Sequence, residues 1–414
     1  MRILALIAVC ACALGIAGTA GASPYVRYGI QDDSWLTYGA GTVESRAATL
    51  KGLGAEVVRY TLRWDQVETA RGRYHWGAND TVLNALRRAG LAPVVTIWGT
   101  PRFANGGRSP NWAPGSATEI ARFARAAAAR YPFVRYWTIW NEPNQRRWLR
   151  PTSAATYTTK LLNPAYAALH AVKPGVLVGG GVTAPRGSTG GVSPVNFIRG
   201  MRVAHARLDA YAHHPYPLRP QETPWAGGCS HCDTLTMATL GRLQFEVRRA
   251  FGDKRIWLTE YGYQTNPPDR TIGVSYAAQA RYVGEAARRV FAAPRIDMLI
   301  HYLYRDEPEV GRWQSGFMSA RGSAKPARVA YRLPLAQVSR QGLRTVVWGQ
   351  VRTGTGKQRY VLQQFRDGRW HSVGGVRTTT ARGFFSRTIR AGTGSWIRVS
   401  SAADRTVSPA LRIS

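Results

Sequence analysis

Trp137-Thr138-Ile139-Trp140-Asn141-Glu142-Pro143 is an apolar, β-rich run that stops abruptly on an amide and a carboxylate. The run extends back to Val134, and a stretch of this length rich in β-branched and aromatic residues predicts a buried strand, Val134–Trp140, with Glu142 just past its end. Seven similar runs occur on either side: Val26–Ile30, Val57–Leu62, Pro93–Trp98, Val176–Gly180, Leu208–His213, Arg255–Thr259 and Met298–Tyr302. Helical periodicity fills the intervals, over Asp80–Ala89, Thr118–Arg130, Thr152–Val172, Thr234–Phe251 and Tyr276–Phe291. The first of these places Val82, Leu83, Leu86 and Ala89 on one face and stops at Gly90. Eight strands alternating with helices predict an α/β fold, a (β/α)8 barrel, in preference to an open doubly wound sheet, whose first turn would carry a Gly-rich phosphate loop. Gly179-Gly180-Gly181 follows the fifth strand and lacks that spacing.

The remainder of the chain is organised around this unit. The 414 residues are 44% apolar and 19% charged, a mixture that excludes wholesale disorder and fibrous repeats. Arg2, the apolar run Ile3–Ile16 and the small-residue site Ala20-Gly21-Ala22 predict a signal peptide over residues 1–22, and hence secretion to the cell exterior. Cys10 and Cys12 leave with it; no later run is long and apolar enough to predict a transmembrane segment. The catalytic-size unit then spans 23–336. From 337 to 414 the pattern changes to short Thr-, Val- and aromatic-rich strands between Gly turns, predicting a β-sandwich accessory domain. In the mature chain Cys229 and Cys232 form one C-x-x-C pair. A local disulfide suits an oxidising compartment, while a zinc site with His231, His213 or His214 and a redox pair are the other readings of that spacing.

In a parallel barrel the strand C-termini share one rim, where reactive groups gather. Acidic residues number only 23, yet Glu142 and Glu260 fall at the ends of the fourth and seventh strands. Two carboxylates across one cavity are what glycosidic cleavage requires, one to protonate the departing oxygen and the other to attack the anomeric carbon or activate water. Trp98, Trp140 and Trp148 at strand ends, and Trp35, Trp112, Trp225 and Trp313 in βα loops, offer flat faces for sugar rings; Trp76, Trp137 and Trp257 are read as packing.

Trp140-Asn141-Glu142-Pro143 and Thr259-Glu260-Tyr261-Gly262, read with the strand order, resemble the signature segments of clan A retaining glycoside hydrolases, in particular the family 5 and family 39 types, over most of residues 26–330. The resemblance implies that Glu142 is the acid/base, that Glu260 is the nucleophile and that Asn141 holds the sugar 2-hydroxyl. It also implies that Arg59 lies beneath the nucleophile, and that His214 and Tyr216, from His213-His214-Pro215-Tyr216, line the site with Tyr216 bonded to Glu260. Where the clan usually has a tryptophan on the eighth strand, this chain has Tyr302 and Tyr304, which with Trp98 and Trp148 complete the expected substrate-binding set. Arg59 beside Glu260 is expected to lower that carboxyl's pKa, and burial with carboxylate repulsion to raise that of Glu142.

The expected substrate is a β-linked poly- or oligosaccharide, with no metal or other cofactor. A transglycosylase would use the same residues; a catalytically silent carbohydrate- or envelope-binding protein would need only the aromatics and the charge. That charge is large, +33 from 50 Arg and 6 Lys against 23 acids, spread along the chain with no nucleic-acid module visible. An anionic cell-envelope polymer or uronic-acid polysaccharide is the partner it would attract.

Overall fold

The computed structural model describes residues 23–229 and 231–414. The segment read as a signal peptide lies outside them. Eight parallel strands close into a barrel: β1 (Arg27–Gln31), β2 (Val57–Arg63), β3 (Ala92–Trp98), β4 (Tyr136–Ile139), β5 (Leu177–Thr183), β6 (Ala210–His213), β7 (Arg255–Tyr261) and β8 (Ile296–Tyr302), with β8 returning to pair with β1. All eight expected strands are present, with ends displaced by at most a few residues.

The barrel interior is filled by Val57, Val94, Tyr136, Val182, Ala210, Ala212, Trp257, Met298 and Ile300. Trp257 fits because β5 is glycine at the facing position: a Cβ on Gly179 would stand 2.7 Å from its ring. Gly181 likewise yields to Tyr211, so the triple glycine serves packing. Trp137 is fully buried and Trp76 stacks on Phe123, as packing tryptophans.

The helices differ more from expectation. The helix read from Asp80 begins at Gly77, and three helices not expected from the sequence, Val43–Gly52, Pro194–Val203 and Pro326–Arg332, complete the outer ring. Thr152–Val172 is broken into Ala154–Tyr157, a π-helical Thr158–Leu162 and Asn163–Val172. The helix expected from Thr234 starts only at Leu240. Its missing turns are drawn onto the barrel rim, where the Leu235 N–H donates to Pro185 O and the Met237 N–H to Pro215 O, so tertiary hydrogen bonds replace helical ones.

The C-terminal domain is two antiparallel sheets face to face. One is made of β9 (Leu335–Gln341), β10 (Arg344–Gln350) and β13 (Phe384–Arg390); the other of β11 (Arg359–Arg366), β12 (Arg369–Thr378), β14 (Trp396–Ser401) and β15 (Leu411–Arg412), in the order β12-β11-β14-β15. Val347, Tyr360, Leu362, Phe385, Ile397 and Val399 form the core between them. The boundary expected at 336/337 falls inside β9. The first sheet packs on the barrel through Trp348 and Phe384 against Phe291, and Arg352 inserts its guanidinium 3.6 Å from the ring of Tyr28 and 4.5 Å from that of Tyr331. Arg382 reaches Pro24 O, Val26 O and Glu56, all preceding strands β1 and β2, so the sandwich sits at the barrel's N-terminal end.

Candidate active site

At the opposite end the strand termini surround a cavity of about 880 Å³. Glu260, next to last in β7, and Glu142, three residues past β4, both line it. The turn carrying Glu142 is strained: Trp140 and Glu142 adopt φ of 72° and 40°, left-handed values that side chains disfavour, and the Glu142 N–H is held by Val182 O at 2.9 Å.

Arg59 organises the floor. Buried at 1% exposure, it donates from Nε to Thr96 Oγ1 (2.9 Å), from Nη1 to Gln31 Oε1 (2.6 Å) and to Glu260 Oε1, and from Nη2 to Asn141 Oδ1 (2.8 Å). Because the Asn141 carbonyl oxygen is taken by Arg59, its amide N–H groups remain for the cavity. The other Glu260 oxygen accepts from the Tyr216 hydroxyl at 3.1 Å. His214 is fully buried behind both carboxylates, its Nδ1 3.0 Å from Glu142 Oε1 and 3.6 Å from Glu260 Oε2. It therefore belongs to the site through its contacts with the pair, although it is not among the residues that line the open cavity.

Burial pushes the Glu142 carboxyl up to about 7, against the opposing pull of Arg59, a hydrogen bond with Trp148, and the more distant Arg147 and Arg186. Arg59 is near enough to pull on Glu142, and desolvation outweighs it. Burial also pushes His214 down to about 3, so its imidazole is neutral at ordinary pH. One carboxyl oxygen of each glutamate and a ring nitrogen of His214 lie within 4.8 Å of one another, and the cation facing Glu260 there is the Arg59 guanidinium.

Of the expected aromatic lining, Trp98, Trp148, Trp313 and Tyr302 reach the cavity. Trp98 and Trp148 meet edge to face at 5.4 Å, and Trp313 lies 4.9 Å from Tyr216. Tyr304 does not reach it: the chain turns away after Tyr302, the ring packs 4.0 Å from Trp35, and the backbone N–H is held by the Asp32 carboxylate. Trp35 is occupied in the same contact, and Trp140 is buried, its indole donating to Trp148 O. Trp112 lies under Arg108, and Trp225 under Arg289.

Cys229 and Cys232 are disulfide-bonded. With both thiols spent in that bond no thiolate is left for the zinc reading, and His213 spends both ring nitrogens on Thr183 and Leu235 O. The loop after β6 touches the cavity through Pro217, Leu218, Arg219 and Pro220, and neither cysteine of the disulfide is among the lining residues.

Sequence reasoning missed Gln31 and Thr96, the partners of Arg59. Both are polar residues in apolar strands, a signal that could have found them. The loop that presents Trp313 is bolted by a buried ion pair, Lys325 Nζ to Asp306 Oδ2 at 2.6 Å, each side chain 1% exposed, with further bonds from Lys325 to Thr265 Oγ1 and Gln314 O. No sequence periodicity marks it.

No family model matches the chain, and no curated protein sequence matches it. The solved structures are a different matter. The chain is similar in fold to clan A glycoside hydrolases. A family 39 glycoside hydrolase from Bacteroides cellulosilyticus aligns over 88% of this chain and 79% of its own, with TM-score 0.61 and 17% identity. A monomeric β-xylosidase from Caulobacter crescentus aligns over 92% and 97%, with TM-score 0.60 and 18% identity. GH5_18 from Streptomyces cattleya, solved with GlcNAc, aligns over 75% of this chain and 78% of its own, with TM-score 0.56 and 15% identity. The first two span nearly the whole chain, the third mainly a barrel's share of it.

Proposed function

We propose that this protein is a secreted β-glycoside hydrolase that acts on a β-linked poly- or oligosaccharide with retention of configuration. The observation that carries the reading is the unequal treatment of two adjacent carboxyls: Glu260 is ion-paired with buried Arg59, whereas Glu142 is held up to about 7 by burial. One is prepared as an anion and the other as an acid. The glycoside hydrolase folds that it resembles support the same chemistry, as does a cavity walled by tryptophan and tyrosine.

In the first step Glu260 attacks the anomeric carbon while Glu142 gives its proton to the departing glycosidic oxygen, leaving a glycosyl ester and a free alcohol. In the second, Glu142, now a carboxylate, takes a proton from water as the water oxygen attacks the same carbon and releases Glu260. In the tautomer that carries its proton on Nδ1, His214 donates to Glu142 Oε1 and the acid proton rests on Oε2, free for the substrate. Oxygens within 4.8 Å of one another favour direct attack, because the inverting geometry needs carboxyls about 6.5–9.5 Å apart to admit a water.

The deciding experiment is proton NMR of the first product released from a β-glycoside panel. A β-anomer that mutarotates later is expected; an α-anomer would make the enzyme inverting, and no turnover on any glycoside would leave the silent-binder reading.

A further inference from the structure

The outer sheet of the C-terminal domain carries a row of aromatic side chains for which the barrel has no use. In the antiparallel register Phe365 of β11 pairs with Trp370 of β12. One step beyond the Gln364–Ile397 pair, Trp396 of β14 comes beside Phe365, and Trp396 in turn pairs with Arg412 of β15. Directly opposed residues project to the same face, so four adjacent strands contribute one residue each to a single row. The alternate residues Gln364, Ile397 and Leu411 are buried toward the sandwich core, which turns the row to solvent.

Phe365 and Trp396 are each 42% exposed. The Phe365 and Trp370 rings are 5.3 Å apart, and Arg398 lies 4.1 Å over Trp370. The neighbouring row is polar, Ser372, Gln363 and Arg398, with Arg398 Nε donating to Gln363 Oε1 at 2.7 Å. At the usual strand separation three neighbouring strands place their aromatics across about 10 Å, a strip on which successive sugar rings can lie flat. Beside it are amide and hydroxyl groups for sugar hydroxyls and guanidinium groups for carboxylates. The whole domain from residue 337 on has 14 basic and 2 acidic side chains, so what complements the strip is a glycan that is itself acidic.

We propose that this face is a second glycan-binding site, which holds a carboxylate-bearing polysaccharide across Trp370, Phe365 and Trp396. None of these residues lines the catalytic cavity, and the site does not depend on the barrel being a hydrolase.

The test is affinity electrophoresis of the full chain in native gels containing polygalacturonate, carboxyl-reduced polygalacturonate or dextran sulfate. Wild type is compared with Phe365→Ala/Trp396→Ala, which leaves the charge unchanged, and with Phe365→Tyr/Trp396→Tyr, which keeps flat rings. The proposal expects polygalacturonate affinity to fall roughly tenfold or more in the alanine variant and to persist in the tyrosine variant. It also expects the reduced polymer to bind much more weakly, and dextran sulfate retardation to be the same in all three proteins. Equal retardation of wild type and the alanine variant by polygalacturonate would overturn it, leaving net charge as the sole attraction. Equal binding of reduced and unreduced polymer would overturn the acidic assignment, and a dimer in light scattering that the alanine variant abolishes would make the face a self-association surface instead.

Discussion

His214 Nδ1 stands 3.0 Å from Glu142 Oε1, with the ring buried and neutral and the carboxyl held up to about 7. Between about pH 3 and 7 the pair therefore holds one carboxyl proton and no net charge on either group. The acid that glycosidic cleavage needs is lost above that window, so kcat/KM should fall tenfold per unit above about pH 7, while its acid limb is set separately by protonation of the nucleophile. Arg186 pulls the Glu142 value down, so Arg186→Ala should move the alkaline limb to higher pH. A limb unmoved by that change would mean that Arg186 does not sense the acid's charge.

The two glutamates should separate by leaving group. A 4-nitrophenolate departs without protonation, whereas an alkyl or sugar alcohol does not. Glu142→Gln is expected to lower kcat/KM roughly 10²–10⁴-fold on a disaccharide and far less on the 4-nitrophenyl glycoside. Glu260→Gln should abolish turnover of both. Equal loss on both substrates in the Glu142 variant would remove it from the acid role.

Tyr216 donates one hydrogen bond to Glu260, and with burial its hydroxyl stays protonated. Tyr216→Phe keeps the ring against Trp313 and removes that bond, so kcat should fall about tenfold or somewhat more with KM little changed. A rise in KM alone would make Tyr216 a substrate contact.

Lys325 and Asp306 form a pair withdrawn from water. Lys325→Met leaves Asp306 charged and unpaired and is expected to lower unfolding stability by about 3–5 kcal/mol, with much of this recovered in Lys325→Met/Asp306→Leu. Urea titration of the three proteins checks this. Because the pair fixes the loop presenting Trp313, the single variant should also lose substrate affinity.

Strand-level structure was legible because it depends on local pattern. Eight β-branched runs at regular intervals admit few closures, and once the barrel is assumed, a polar residue in an apolar strand end must face the mouth. That logic brought Glu142 and Glu260 together from across the chain; Arg59, Asn141 and Tyr216 came from the resemblance to clan A glycoside hydrolases. It failed where the chain leaves regular structure. Tyr304 looked like a strand-end residue, but the backbone turns after Tyr302 and Asp32 captures its N–H. His214 meets both glutamates, but that it does so from a fully buried position was not legible, because a buried histidine looks the same in sequence as an exposed one. The helix expected from Thr234 was lost to hydrogen bonds with distant loops, which no periodicity encodes.

Arg352 has a consequence for how the molecule would behave on a polymer. With its guanidinium wedged between Tyr28 and Tyr331, and Trp348 and Phe384 packed on Phe291, the sandwich is keyed into the barrel and does not swing on a tether. A chain gripped on the outer sheet cannot be handed directly to a mouth at the other end of the barrel. Retention there would instead raise the local supply of other strands of the same mesh, so that the enzyme, after each cut, meets its next substrate before diffusing away.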